Sequence, residues 1–188
     1  MKLSGRNTLI TGGSRGLGRV IVEAFLAEGA NVIFCARTSG DVAQTQTALA
    51  PQLKPGQQLI GVTTDIADPA SVAALFARAA QLGPLHAVVN NAGIYGPIGP
   101  TEEVNLADWT QAWQVNVTGT LLVCQHAVRA MRPRRAGKII NVSGGGKIIA
   151  NGTAEGAKIA PGVRVGYYRQ DFSTLNFEDT VYQSLMSI

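Results

Sequence analysis

The sequence predicts an α/β fold: a parallel β-sheet wrapped by helices on both faces, truncated after its fifth strand and followed by a short β-rich tail. Three observations carry that prediction. Short apolar runs alternate with longer stretches whose apolar residues recur at helical spacing. The strand-like runs are continuously apolar rather than alternating, as strands covered on both faces are. A glycine-rich turn joins the first strand to the first helix.

Residues 7–11 read as the first strand. Residues 16–27 form a helix with Val20, Ile21, Ala24 and Phe25 on one face, and Gly29 ends it as a C-terminal glycine should. The second strand spans 31–35, a helix spans 41–50 and is stopped by Pro51, and the third strand spans 59–62. Asp68 caps a helix that opens on Pro69 and runs to residue 80. Residues 87–89 give the fourth strand, a long helix runs from about 106 to 131, and 138–142 give the fifth strand. Right-handed crossovers between such strands specify a doubly wound, Rossmann-type sheet. Its ligand site lies at the carboxyl ends of the strands, where strand order reverses.

That rhythm stops near residue 147. The expected organisation is therefore a nucleotide-binding domain at 1–147 and a tail of different apparent origin at 148–188. In the tail, 163–170 alternates and is rich in β-formers, which predicts a strand, and 177–186 has helical spacing. The fifth strand would otherwise be an open edge, so the tail is expected to dock against the domain or to pair with a second copy.

A length of 188 residues fits one domain, and 46% hydrophobic with 15% charged residues suits a compact core rather than disorder. The amino terminus lacks the apolar stretch of a signal peptide, and no apolar run is long enough to span a membrane, so a cytoplasmic protein without a membrane partner is expected. Cys35 and Cys124 have no partner spacing and read as reduced thiols; no metal site is expected. Residues 1–147 carry 13 Lys/Arg against 8 Asp/Glu, and the tail 3 against 4. The basic run Arg129, Arg132, Arg134, Arg135 and Lys138 falls at a helix carboxyl end, where cations complement the dipole, so no nucleic-acid partner is expected from it. An anionic cofactor accounts for the basic balance equally well.

The turn Thr11-Gly12-Gly13-Ser14-Arg15-Gly16-Leu17-Gly18 has the chemistry of a pyrophosphate cradle. Gly12 allows a sharp exit from the strand. Gly16 and Gly18 keep side chains clear of a phosphate and let the helix pack closely, and the helix terminus offers unpaired N–H groups. Ser14, Arg15 and Leu17 line the same turn. After the second strand comes Cys35-Ala36-Arg37-Thr38 rather than an acid that would hold ribose hydroxyls. Arg37, with Arg15, suits a 2′-phosphate through forked charge-assisted bonds, which points to NADP rather than NAD.

Assembled in order, these residues resemble the short-chain dehydrogenase/reductase family over about residues 3–146. Asp65 and Ile66 stand after the third strand, where the family contacts adenine. Asn90-Asn91-Ala92-Gly93 matches its Asn-Asn-Ala-Gly, so Asn91, Ala92 and Gly93 are expected to border the cofactor. Asn116 stands where the family has its catalytic asparagine. Ser143 stands next to the family's serine position, which Gly144 occupies. The resemblance implies hydride transfer between nicotinamide and a small-molecule carbonyl or secondary alcohol, and a homo-oligomer. It also implies a tyrosine with a lysine four residues on. None of Tyr95, Tyr167, Tyr168 and Tyr182 has one. Two readings stay open: an active oxidoreductase, or a non-catalytic cofactor-binding or structural chimera. The tail, from about 155, resembles the glutamine-loop region of F-type ATP-binding cassette ATPases, with Gln170 as the glutamine. No Walker A motif accompanies it, so ATPase activity is not expected.

Overall fold

The computed structural model describes residues 1–143 and, as backbone, the strand 163–168. Six parallel strands, β1 (Asn7–Thr11), β2 (Asn31–Ala36), β3 (Leu59–Thr63), β4 (Leu85–Asn90), β5 (Gly137–Val142) and β6 (Val163–Tyr168), lie in the order β3-β2-β1-β4-β5-β6. The order reverses between β1 and β4, which places the expected ligand crevice at their carboxyl ends.

Helices cover the two faces in turn. Against one face, α1 (Gly16–Ala27) and α2 (Ser39–Leu49) bring Val22, Phe25 and Val42 onto Ile10, Phe34, Val89 and Ile140. Against the other, α3 (Pro69–Ala80) and α5 (Thr120–Met131) bring Leu75 and Val123 onto Leu9, Ile33, Val88 and Ile139. Successive strand residues point to opposite faces, so neighbours such as Ile139 and Ile140 enter different cores. This is why the strands are apolar throughout.

The long helix expected from about 106 to 131 is present, with a π-helical segment (Gln114–Gly119) between α4 (Leu106–Trp113) and α5. Val115, Val117 and Thr118 are β-branched and Gly119 is flexible, so the segment holds the α-form weakly. A π-turn at such a place lets one face of the helix shift against its neighbours. Gly119 is required by the packing, since a Cβ there would lie 2.9 Å from Ile66 Cγ1 and 3.0 Å from the Ile66 carbonyl oxygen.

The expected tail strand is present, and it pairs in parallel with β5 from Gly137 opposite Val163 to Val142 opposite Tyr168. The sheet therefore continues one strand beyond the fifth. The helix expected at 177–186 and Gln170 lie outside the described residues. Among the described residues, no helix is long and apolar enough to cross a membrane.

Ile139 is 1% exposed at the centre of β5, whereas Val20 on α1 is 58% exposed. Ile139→Ala is expected to cost about 2–5 kcal/mol by loss of burial and cavity formation. Val20→Ala should stay within about 0.5 kcal/mol. Urea unfolding of the two variants checks this; equal effects would show that the β5 core is not packed as described.

Candidate cofactor site

The site grows from the end of β1. Gly12 has φ +66°, and a Cβ on it would come within 2.9 Å of Ala92 Cα, so only glycine lets the turn pass under the β4 loop. A Cβ on Gly13 would lie 2.7 Å from Phe34 Cβ, which fixes the turn against β2. Ser14 is buried, and its carbonyl accepts a 2.9 Å bond from the Thr45 hydroxyl of α2. Gly16 has φ +53°, and a Cβ there would meet nothing within 4 Å. Leu17 is 40% exposed beside it.

The amino end of α1 differs from those of α3 and α4. Asp68 caps α3 by accepting from the Ala70 and Ser71 amides at 3.1 Å, and Asn105 caps α4 by accepting from Ala107 and Asp108. Arg15, the residue before α1, is extended and makes no side-chain cap, and the first turn holds no acid. An uncapped terminus without a carboxylate leaves the helix's first N–H groups and positive dipole end for an external anion.

A clamp joins the turn to β4. The Asn91 and Ala92 amides each donate to the Thr11 hydroxyl at 3.0 Å. The Asn91 side-chain amide donates to the Thr11 and Gly12 carbonyls at 3.1 and 3.2 Å. Asn91 thus shapes the crevice floor through the backbone it binds. The sequence places Thr11 at the head of the glycine turn without assigning its hydroxyl a role, although a hydroxyl ending a strand before a glycine turn is a signal for such a bond.

Arg37 is exposed just past the end of β2, and Arg15 is exposed on the turn. The Thr11–Cys35 register and the 3.0 Å bond from the Gly13 amide to the Cys35 carbonyl bring their two backbones together. Burial pushes the Cys35 thiol up to about 12, so it stays neutral beneath the site. Asp65 is exposed at the end of β3, where one of its carboxylate oxygens accepts from the Ala67 amide at 2.9 Å. Ile66 is 4% exposed and turned to Gly119 of the π segment.

Asn116 sits in that π segment. Its side-chain oxygen accepts from the Ile94 amide at 2.9 Å and its nitrogen donates to the Ile94 carbonyl at 2.8 Å. The two bonds strap the loop after Gly93 to the helix. Both ends of the amide are engaged, so Asn116 here positions the loop. Ser143 follows the end of β5. Beside it, Asn90 donates to the Asn141 side-chain oxygen at 2.8 Å and to the Cys124 sulfur at 3.2 Å, a cross-strand link that sequence reading did not single out. Among the described residues, no group of three or more His, Cys, Asp or Glu could hold a metal ion.

The glycine turn and the strand order define a Rossmann-type α/β domain. The chain belongs to the short chain dehydrogenase family, whose pattern matches residues 6–153. It is 36% identical over 140 residues to the cis-4-hydroxycyclohexanecarboxylate dehydrogenase of Sinomonas cyclohexanicum, covering 73% of this chain and 54% of that protein. It is 33% identical over 170 residues to a short chain dehydrogenase/reductase of Macrophomina phaseolina, covering 89% of this chain and 92% of that protein. That share is larger than residues 1–147 provide, so this match runs into the tail. The solved short-chain type dehydrogenase/reductase of Mycobacterium ulcerans superposes with a TM-score of 0.73 at 29% identity, covering 76% of this chain and 52% of that one. The chain spans about half the length of the first curated relatives it matches.

Thr11→Val keeps the shape and removes the acceptor for two amides. It is expected to cost about 1–3 kcal/mol of stability, and to weaken dinucleotide binding by loosening the turn. Urea unfolding and a fluorescence titration with NADPH check this. An unchanged unfolding midpoint would remove the clamp from the account.

Proposed function

We propose that this chain binds a nicotinamide dinucleotide, NADP(H) in preference to NAD(H), across the carboxyl ends of β1, β2 and β4. Its ancestral reaction is hydride transfer between nicotinamide and a small carbonyl or secondary alcohol. The observation that carries this reading is the uncapped amino end of α1 beneath a turn that is closed to side chains below and open above at Gly16. The amides following Gly16 would hold the pyrophosphate, with Gly12, Ser14, Leu17 and Gly18 shaping the cradle. Arg15 and Arg37 would take a 2′-phosphate, which neither faces with a competing acid at the end of β2. Asp65 and Ile66 would border adenine, and Asn91, Ala92, Gly93 and Asn116 the nicotinamide end.

When bound, the nicotinamide supplies or accepts the hydride. The protein's part is to orient the ring and to polarise the substrate oxygen, for which Ser143 is the hydroxyl at the end of β5. A proton must also reach or leave that oxygen. A tyrosine paired with lysine would supply it, and none exists in this chain. Tyr95, next to the Asn116 strap, is 92% exposed and has Gly99 where lysine would be needed. That absence favours the second reading, a cofactor-binding chain with little or no turnover.

Further parts of the reading concern setting and assembly. Two free thiols, one of them buried, suit a cytoplasmic protein. Leu106, Trp109, Trp113, Val117 and Leu121 stand exposed along α4, the π segment and the start of α5. That apolar stripe suits a second copy of the chain, and hence a homo-oligomer. The tail's likeness to a glutamine-loop segment assigns it no nucleotide site of its own.

NADPH is expected to bind at least tenfold more tightly than NADH, about 1.4 kcal/mol, and Arg37→Asp to narrow or reverse the gap. Calorimetric titration of both cofactors decides; equal affinities in the unaltered chain would sink the preference. Across a panel of ketones and aldehydes, NADPH oxidation should stay about 10²–10⁴-fold below that of an enzyme with its acid–base pair. Robust turnover would show that another group supplies the proton.

A further inference from the structure

We infer that the amino-terminal end of the sheet, opposite the cofactor crevice, is a docking surface for the phosphate ridges of double-stranded nucleic acid. The basic run at 129–138 looks, in sequence, like a complement to one helix dipole. The fold adds to it. Asn7 pairs with Leu85 and Ala87 with Lys138, so Arg6, His86 and Lys138 come to the same end of three adjacent strands. Arg129 lies in the last turn of α5, with Arg132 and Arg135 in the turn that follows, and all three are exposed.

That turn is built to be rigid. Arg134 donates to the Leu85 carbonyl at 3.0 Å and to the Ala136 carbonyl at 3.4 Å, which ties the turn to β4. Arg135 holds a left-handed conformation at φ +51°. Arg132 and Arg135 therefore flank an anchored arginine.

The distribution of acids is the second observation. Asp41, Asp65, Asp68, Glu102, Glu103 and Asp108 all sit in the first turns of helices or in the loops before them, at or near the carboxyl end of the sheet. Glu23 pairs with Arg19. Glu28, at the carboxyl end of α1, accepts from the Lys2 amide at 2.6 Å. One helix terminus does not need so many cations. Their field reaches His86, whose pKa is pushed below the ordinary value by burial and then by Arg134 and Arg6.

The composition selects the partner. Arginine dominates, and its planar fork suits phosphate oxygens better than a lysine point charge does. The large exposed apolar side chains, such as Trp109, Trp113 and Leu121, lie on α4 through the start of α5 or near the crevice, and Met1 at the amino terminus. None belongs to this cluster of cations. A single strand needs aromatic platforms for its bases, and a bilayer needs apolar side chains to insert. A duplex presents only charge, which this surface matches without reading sequence.

The test uses the full chain and fluorescein-labelled DNA and RNA duplexes of about 20 base pairs, titrated by anisotropy over a series of salt concentrations. Saturable binding to either duplex is expected at about 50 mM salt, weakening with a linear log–log slope. The variant R129E/R132E/K138E should bind at least tenfold more weakly and with a shallower slope. Circular dichroism and the thermal midpoint show whether it is folded. The milder R129Q/R132Q should give an intermediate loss and keeps the test decisive if charge reversal impairs folding. Arg37→Glu, at the cofactor end, should leave duplex affinity within twofold. No saturable binding, retention of affinity in the Gln variant, or an equal loss in Arg37→Glu would overturn the proposal. So would tighter binding to phosphatidylserine vesicles or to single-stranded oligonucleotides than to either duplex.

Discussion

The two halves of this sheet run outward from β1 and β4, which pair as far as Ile10 and Val89, and beyond that ladder one clamp holds the diverging chains together. The Thr11 hydroxyl accepts from two consecutive amides of the β4 loop, and Asn91 returns its side-chain amide to the carbonyls of Thr11 and Gly12. Parallel strands that diverge at a switch point leave backbone groups without ladder partners, and buried groups of that kind are costly. Here those groups satisfy one another. The result is a fixed floor at the one place where a ligand has to be held, and Gly12 is the residue whose lack of a side chain lets the two backbones approach so closely.

Electrostatics follows from the same geometry. In a parallel sheet with antiparallel helices, the helix amino ends gather at the carboxyl edge of the strands. Most of those ends carry their own carboxylate or cap, as Asp68 and Asn105 do for α3 and α4. The amino end of α1 carries none. Its missing cap suits the anion proposed to bind at the glycine turn. Arg15 and Arg37 stand at that same edge, while Arg129 and Arg132 lie where α5 ends, at the opposite one.

The order of the elements up to β5 was readable because each has a local cause. Asp68-Pro69 starts α3 and caps it as expected, Gly29 ends α1 with φ +86°, and the strands are apolar on both sides because both faces are covered. The glycine turn was readable for the same reason, since close approach leaves a mark in composition. What was not readable depends on contacts between distant segments. The π-helical turn in the long helix falls on weak helix formers at 115–119, and its packing against Ile66 is not visible locally. Asn116 stood out as a polar residue in a helix, but nothing local shows that both ends of its amide close on Ile94. The sixth strand was legible from alternation and from the open edge of β5; its parallel register was not.

The π segment links two ends of the crevice that the sheet alone leaves independent. Gly119 sits against Ile66, next to the expected adenine site, and Asn116, three residues earlier, straps Ile94 beside the loop expected to border nicotinamide. One irregular turn therefore touches both ends of the proposed crevice. A regular α-helix through 114–119 would rotate the residues after the first turn relative to those before it. The irregularity satisfies both constraints at once, which gives a physical reason for weak helix-forming residues to stand between two ordinary helical stretches.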